Sequence, residues 1–163
     1  AFRHTMSAMT GVIAILFFMI SITEINNYRL VERDDDIIAN NFLNEFDKTG
    51  MPDDSNILVL GIEYCYTGTS REGYENIASS DWAFLGKVNA VNEKYYFKNI
   101  LPVKAGGLIP KAYVTDECLL FSIDENMAIE RLFLQDNELI YQNGSVYGNL
   151  NDEAEYYKFV INN

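Results

Sequence analysis

With 163 residues and a formal charge of −12, the chain is long enough for one modest domain beyond an N-terminal helix. Residues 49–163 alone carry 8 basic and 17 acidic side chains, a balance of −9; an acidic surface repels phosphate backbones, which argues against nucleic acid as a partner. The single histidine is His4, so everything after it lacks Ser/His and Cys/His nucleophilic pairs and histidine-based metal sites.

The chain opens on Ala1, and Met6–Ile22 (MSAMTGVIAILFFMISI) contains no charge. As a helix this run spans about 25 Å, just under a bilayer's hydrocarbon core. TEINNYRL follows it, which is not a small-residue cleavage site, so the run reads as a retained span behind a processed N-terminus. Arg3 and His4 precede the run, and Glu24, Glu32, Asp34, Asp35 and Asp36 follow it. That bias predicts Ala1 on the cytoplasmic side and the bulk of the chain outside.

The helical pattern continues from Tyr28 to Lys48. Val31, Ile38, Phe42 and Phe46 make one apolar stripe, with Leu30, Ile37 and Leu43 beside it, at a period of about 3.6 residues. The charges from Glu32 to Asp36 are expected mostly on the opposite side. Gly50–Met51–Pro52 is a stop signal. The expectation is one continuous helix over 2–48, roughly 70 Å long. Its first half is greasy all round; its second half lies against a domain through Val31, Ile38, Phe42 and Phe46.

After a linker at 49–55 the period changes to two, and a β-rich head is expected over 56–163. Strands are predicted at Ile57–Thr67, Trp82–Val91, Lys94–Leu101, Ala112–Thr115, Cys118–Ile123, Ile129–Leu134, Leu139–Gln142, Ser145–Gly148 and Ala154–Ile161. Trp82–Val91 and Lys94–Leu101 read as a hairpin about Asn92–Glu93, and Asn143–Gly144 is the strongest hairpin signal in the chain. The fold class is therefore α+β: a long N-terminal helix, then an all-β head built as a sandwich or partly open barrel.

Little in the head points to chemistry. Asp116–Glu117, Asp124–Glu125 and Asp152–Glu153 sit at strand ends or turns, where acids solvate and bond locally. Asp124, Glu125 and Asn126 cluster oxygen ligands without the spacing of a calcium loop, and Gly106–Gly107 is no phosphate loop. No catalytic residue, metal site or cofactor is expected. Cys65 and Cys118 match no CxxC pattern; in an exported protein they could pair, and otherwise they read as two buried thiols. Asn143–Gly144–Ser145 is an N-glycosylation sequon and also, without any sugar, a tight turn. Tyr95–Tyr96 and Tyr156–Tyr157 place one ring on each side of a strand, a mix of core and wet aromatics.

The start AFRHTMSAMTGVIAILFFMISI, the amphipathic continuation through Lys48 and the β-rich region from about Asn56 together resemble the type IV pilin superfamily, and within it the archaeal pilins and archaellins. Bacterial pilins usually begin with an aromatic residue or Met and carry an acid at the fifth mature position. Here those places hold Ala1 and Thr5, which is why the likeness is to the archaeal branch. The resemblance implies a leader of the class III kind removed ahead of Ala1, and a structural, non-enzymatic subunit of an extracellular filament that serves adhesion. Its partners would be copies of itself, the membrane before assembly, the pilus assembly machinery, and host or abiotic surfaces. Met9, Val12, Ile13, Ile15, Leu16, Phe17, Phe18, Met19 and Ile20 would pack in the filament core. Ser7, Ala8, Gly11 and Ala14 offer small surfaces where helices could approach closely. The alternatives are a single-span anchored ectodomain or minor pilin, and the archaellin of a swimming filament.

Overall fold

The computed structural model describes residues 2–61, 77–103, 107–110, 113, 118–124, 126–135, 138–141, 146–149 and 156–158, with side chains described among those from 5 to 133. Helix α1 runs unbroken over Phe2–Asp47, and no proline interrupts it. At its end the Thr49 N–H and hydroxyl both donate to the Phe46 carbonyl, at 2.9 and 2.7 Å. Gly50 then turns the chain at φ +65°, a left-handed conformation that suits glycine at a helix C-terminus.

Eight strands follow: β1 (Ile57–Leu60), β2 (Ile100–Val103), β3 (Leu108–Pro110), β4 (Leu119–Ile123), β5 (Ile129–Gln135), β6 (Glu138–Tyr141), β7 (Val146–Asn149) and β8 (Tyr156–Lys158). Six form a mixed sheet in the order β2-β1-β4-β5-β6-β7, and β3 pairs with β8 in a separate ribbon. β1 is parallel to both its neighbours, β2 and β4; the remaining pairs are antiparallel. β6 and β7 pair across Asn143–Gly144, in accord with the hairpin signal, although the turn itself lies outside the described residues.

The head is not all-β. Asp81–Val91 (DWAFLGKVNAV) is an α-helix, α2, where a strand and hairpin were expected. Alternation of Trp82, Phe84, Gly86, Val88 and Ala90 satisfies a period of two. Phe84, Val88 and Val91, with Leu85 beside them, equally satisfy 3.6. Apolar residues fall on every side of the segment, with Asp81, Lys87 and Asn89 between them, so period alone could not decide. Packing decided it: Phe84 and Val88 are fully buried against α1 and the sheet. Asp81 accepts the Trp82 N–H at 2.8 Å and places a negative charge in the first turn, where the helix dipole favours it. Residues 92–99 are then a loop rather than a strand. Asn89 holds it by giving its Nδ2 to the Phe97 carbonyl and taking the Phe97 N–H on Oδ1, both at 2.9 Å.

α2 thus lies in the crossover between the parallel strands β1 and β2, the connection that parallel pairing demands. β1 and β4 are buried on both faces, which explains the unbroken apolar run ILVL and the nearly apolar LLFSI, broken only by the buried Ser122. On one face Ile57, Val59, Leu119, Phe121 and Ile123 pack with Ile38, Phe42 and Phe46 of α1 and with α2. On the other, Leu58, Leu60, Leu120 and Leu132 pack with Val103 and with Ile109 of the ribbon. Gly61 ends β1 at φ +96°, and a Cβ there would stand 2.7 Å from the Ile123 carbonyl oxygen. Only glycine fits that close approach of β1 to β4.

Candidate functional site

The feature that sets this molecule apart is the division of α1 into two environments. In its first half, twelve large apolar side chains from Met6 to Ile25 are each at least half exposed, from 50% at Ile13 to 68% at Phe17. They include Met9, Val12, Ile13, Ile15, Leu16, Phe17, Phe18, Met19 and Ile20, and they surround the helix on all sides. Ser7, Ala8, Gly11 and Ala14 are also exposed. Ser7, Gly11 and Ala14, at i, i+4 and i+7, share one face, and the space beside Gly11 is open. Leaving one such large side chain half in water forgoes on the order of 1 kcal/mol. Twelve together forgo roughly 10–20 kcal/mol, as much as the folding stability of a whole domain. A surface like this is built to be covered.

Three of its hydroxyls are already paired. Thr10, Ser21 and Thr23 donate their hydroxyls to the carbonyls of Met6, Phe17 and Met19, one turn back, at 3.0, 2.9 and 3.0 Å. These bonds are made inside the helix, so burying the run in lipid or protein strands none of them. Among the described residues α1 is the one helix long and apolar enough to cross a membrane, by length and composition; the apolar part is Met6–Ile22.

The second half of α1 is docked. Ile38, Ala39, Phe42 and Phe46 are fully buried, while Val31 is half-buried and Ile37 is exposed. Phe42 is the centre of a ring cluster, with centroids 5.5 Å from Phe84, 5.5 Å from Phe97 and 5.4 Å from Phe121. Phe46 stacks edge-on against Phe97 and Tyr95 at 4.7 and 5.0 Å. Such edge-to-face pairs each add about 0.5–1.5 kcal/mol beyond the area they bury.

The acids that the sequence places away from the head are instead the polar half of this joint. Asp34 is buried at 3% exposure, its Oδ1 accepting Arg33 Nη2 and Nε at 3.0 and 3.2 Å. Asp35 Oδ1 accepts the Ile77 N–H at 2.8 Å. Burial pushes the Asp35 carboxyl above its usual range, partly offset by that bond and by Lys87. Asp36 pairs with Lys87 of α2 at 2.7 Å. Further along, Asn41 Nδ2 donates to the Met127 carbonyl at 2.8 Å, and Asp47 accepts both Lys94 and the Tyr95 hydroxyl. The Lys94 bond, then the Tyr95 bond, hold the Asp47 carboxyl below its usual range. Asp34 was open to discovery, because it stands one helical turn before Ile38 on the Ile38–Phe42–Phe46 stripe. Its charge alone argued against placing it there.

The head's remaining candidates serve structure where they are described. Asp124 Oδ1 accepts the N–H groups of Asn126 and Ala128 at 2.9 and 2.8 Å, closing a turn in which Met127 takes φ +63°. Among the described residues no group of three His, Cys, Asp or Glu could hold a metal ion. Cys118 carries a free thiol that burial pushes up to about 12. Cys65, with which it could pair in an exported protein, lies outside the described residues, as do Asn143, Asp116–Glu117 and Asp152–Glu153. Tyr95 packs on Phe46, whereas Tyr96 and Trp82 are largely exposed.

No protein-family model, no curated protein and no solved structure matches this chain.

Proposed function

We propose that this protein is the structural subunit of an extracellular helical filament of the type IV pilin kind, polymerising through its N-terminal helix and serving attachment. One observation carries the reading. A single rigid helix is locked into an acidic head over its second half and left apolar and exposed on every side over its first half. Copies of the exposed half can cover one another in a filament core, with the heads outside. Before assembly the same run, Met6–Ile22, rests in the membrane with Ala1 on the cytoplasmic side, so its surface stays out of water throughout. The assembly machinery would move it from lipid to filament. The β3–β8 ribbon laid on the outer face of the sheet gives the head a second, sandwich-like layer.

The membrane-spanning length of the apolar run also favours a second reading, a head anchored singly to the membrane by the same helix. Electron microscopy of material sheared from cells that make the chain separates the two. Fibres containing this polypeptide support the filament. A chain that stays with the membrane fraction and never enters fibres, and is monomeric when purified intact after detergent withdrawal, supports the anchor and ends the filament reading.

A further inference from the structure

Between the apolar run and the docked half of α1 lies a charged collar, Thr23–Arg33. Most charges along α1 are already engaged. Arg33 pairs with Asp34, Asp36 with Lys87, Glu45 with Lys48 and Asp47 with Lys94; Asp35 holds the Ile77 N–H, and Glu24 also has an interaction. Among the described side chains of α1, Arg29 and Glu32 are the exceptions. Both are exposed, and neither has a hydrogen-bond or ion-pair partner among the described residues. They stand three apart with the arginine on the N-terminal side, the poorer order for an ion pair within one helix.

We propose that Arg29 of one copy pairs with Glu32 of a neighbouring copy, and that this contact sets the axial stagger between parallel stalks. The inference rests on the filament reading above. Two parallel copies at the same level would bring Arg29 opposite Arg29 and Glu32 opposite Glu32, which repels. A shift of three residues, about 4.5 Å along the axis, brings the arginine of one copy opposite the glutamate of the other. For Arg29 and Glu32 that shifted register sets opposite charges level with one another. The heads just above it, with 17 acids against 8 bases, repel at any register. The attraction that favours a second copy as the occupant comes from the opposite charges of Arg29 and Glu32 in the collar. In a stack every copy gives its arginine to one neighbour and its glutamate to another, so the contact repeats along the polymer.

The test uses the full chain in detergent as wild type, Arg29→Glu, Glu32→Arg and the double exchange. Detergent is withdrawn at low and at high salt, polymer is sedimented, and the chain left in solution is measured. Thermal melting of the head serves as control, because both residues are exposed. Each single reversal is expected to raise the unpolymerised concentration about five-fold, more at low salt than at high, and the double exchange to restore the wild-type level. Singles that polymerise like wild type overturn the pairing and leave the filament standing. A wild type that stays monomeric overturns the filament itself. Loss of polymer in Arg29→Glu that the double exchange does not restore, with weaker binding to vesicles containing anionic lipid, assigns Arg29 to the membrane surface and overturns the pairing.

Discussion

The two halves of α1 share one helix, yet they meet opposite surroundings. Phe17 and Phe18 are about two-thirds exposed, whereas Phe42 and Phe46 are fully buried. The difference does not lie in side-chain size. It lies in what shares the turn with each ring. Around Phe17 every neighbour from Val12 to Ile22 is apolar or a hydroxyl bonded to its own helix, so no face is directed at the head. Around Phe42 the polar residues Asp35, Asp36, Asn41 and Asp47 make directed bonds to the head. The lesson is that hydrophobicity brings a helix out of water, while polar contacts specify which surface it meets. The first half, without them, is open to lipid or to its own kind.

The comparison can be broken from either side. The largest effect is expected from a charge placed in the exposed half. Leu16→Asp or Ile15→Asp should abolish filaments, since an unpaired charge in a dry helical core costs several kcal/mol, while the melting temperature of the head stays unchanged. Sedimentation and calorimetry on the same sample check both statements. If the substitution melts the head instead, the two halves are not independent.

Next comes the docked half. Phe42→Ala removes the ring that Phe84, Phe97 and Phe121 surround, and should cost about 3–5 kcal/mol of head stability by denaturant titration. The head core itself is probed by Gly61→Ala. The positive φ and the 2.7 Å approach to the Ile123 carbonyl predict a loss of about 1–3 kcal/mol. An unchanged midpoint would mean that β1 and β4 do not close as described.

The smallest effect concerns pH. Asp35 has a raised folded pKa, so the native state binds the proton more readily than the unfolded chain. Its contribution to stability is therefore present at low pH and lost as pH rises from 3.8 through the raised value. Asp35→Asn keeps an oxygen for the Ile77 N–H and removes the charge. It should stabilise the head at neutral pH by less than about 1 kcal/mol and flatten that part of the pH profile. Asp47 runs the other way: its lowered pKa gives support that is present above the ordinary carboxylate range and lost as pH falls. Asp47→Asn should leave the Asp35 slope intact, which separates the two groups.

Much of the chain was legible from local pattern. The length and end of α1 followed from an unbroken helical sequence and a glycine that could take φ > 0. The strands at 119–123, 129–135 and 138–141 followed from short β-branched and aromatic runs between turns. What was not legible shared one cause. DWAFLGKVNAV scatters its apolar residues over every side, so it fits a strand or a helix equally, and the choice fell to the parallel pairing of β1 with β2, which needs a crossover. ILVL looked like one arm of a longer strand; its burial on both faces belongs to a sheet covered by helices on one side and a ribbon on the other. Asp34 was hidden by its charge: its partner, Arg33, is the next residue, but only the head laid against α1 buries the carboxylate.

Local periodicity and local charge suffice to show that an apolar, uncharged helix leads into an amphipathic one and that an acidic, β-rich region follows. The packing of segments far apart in the chain makes Asp81–Val91 helical, turns Asp34–Asp36 toward the head, and leaves Arg29 and Glu32 without a partner among the described residues. Each of those depends on which residues distant in the chain come within a few ångströms, and no spacing along the chain encodes that.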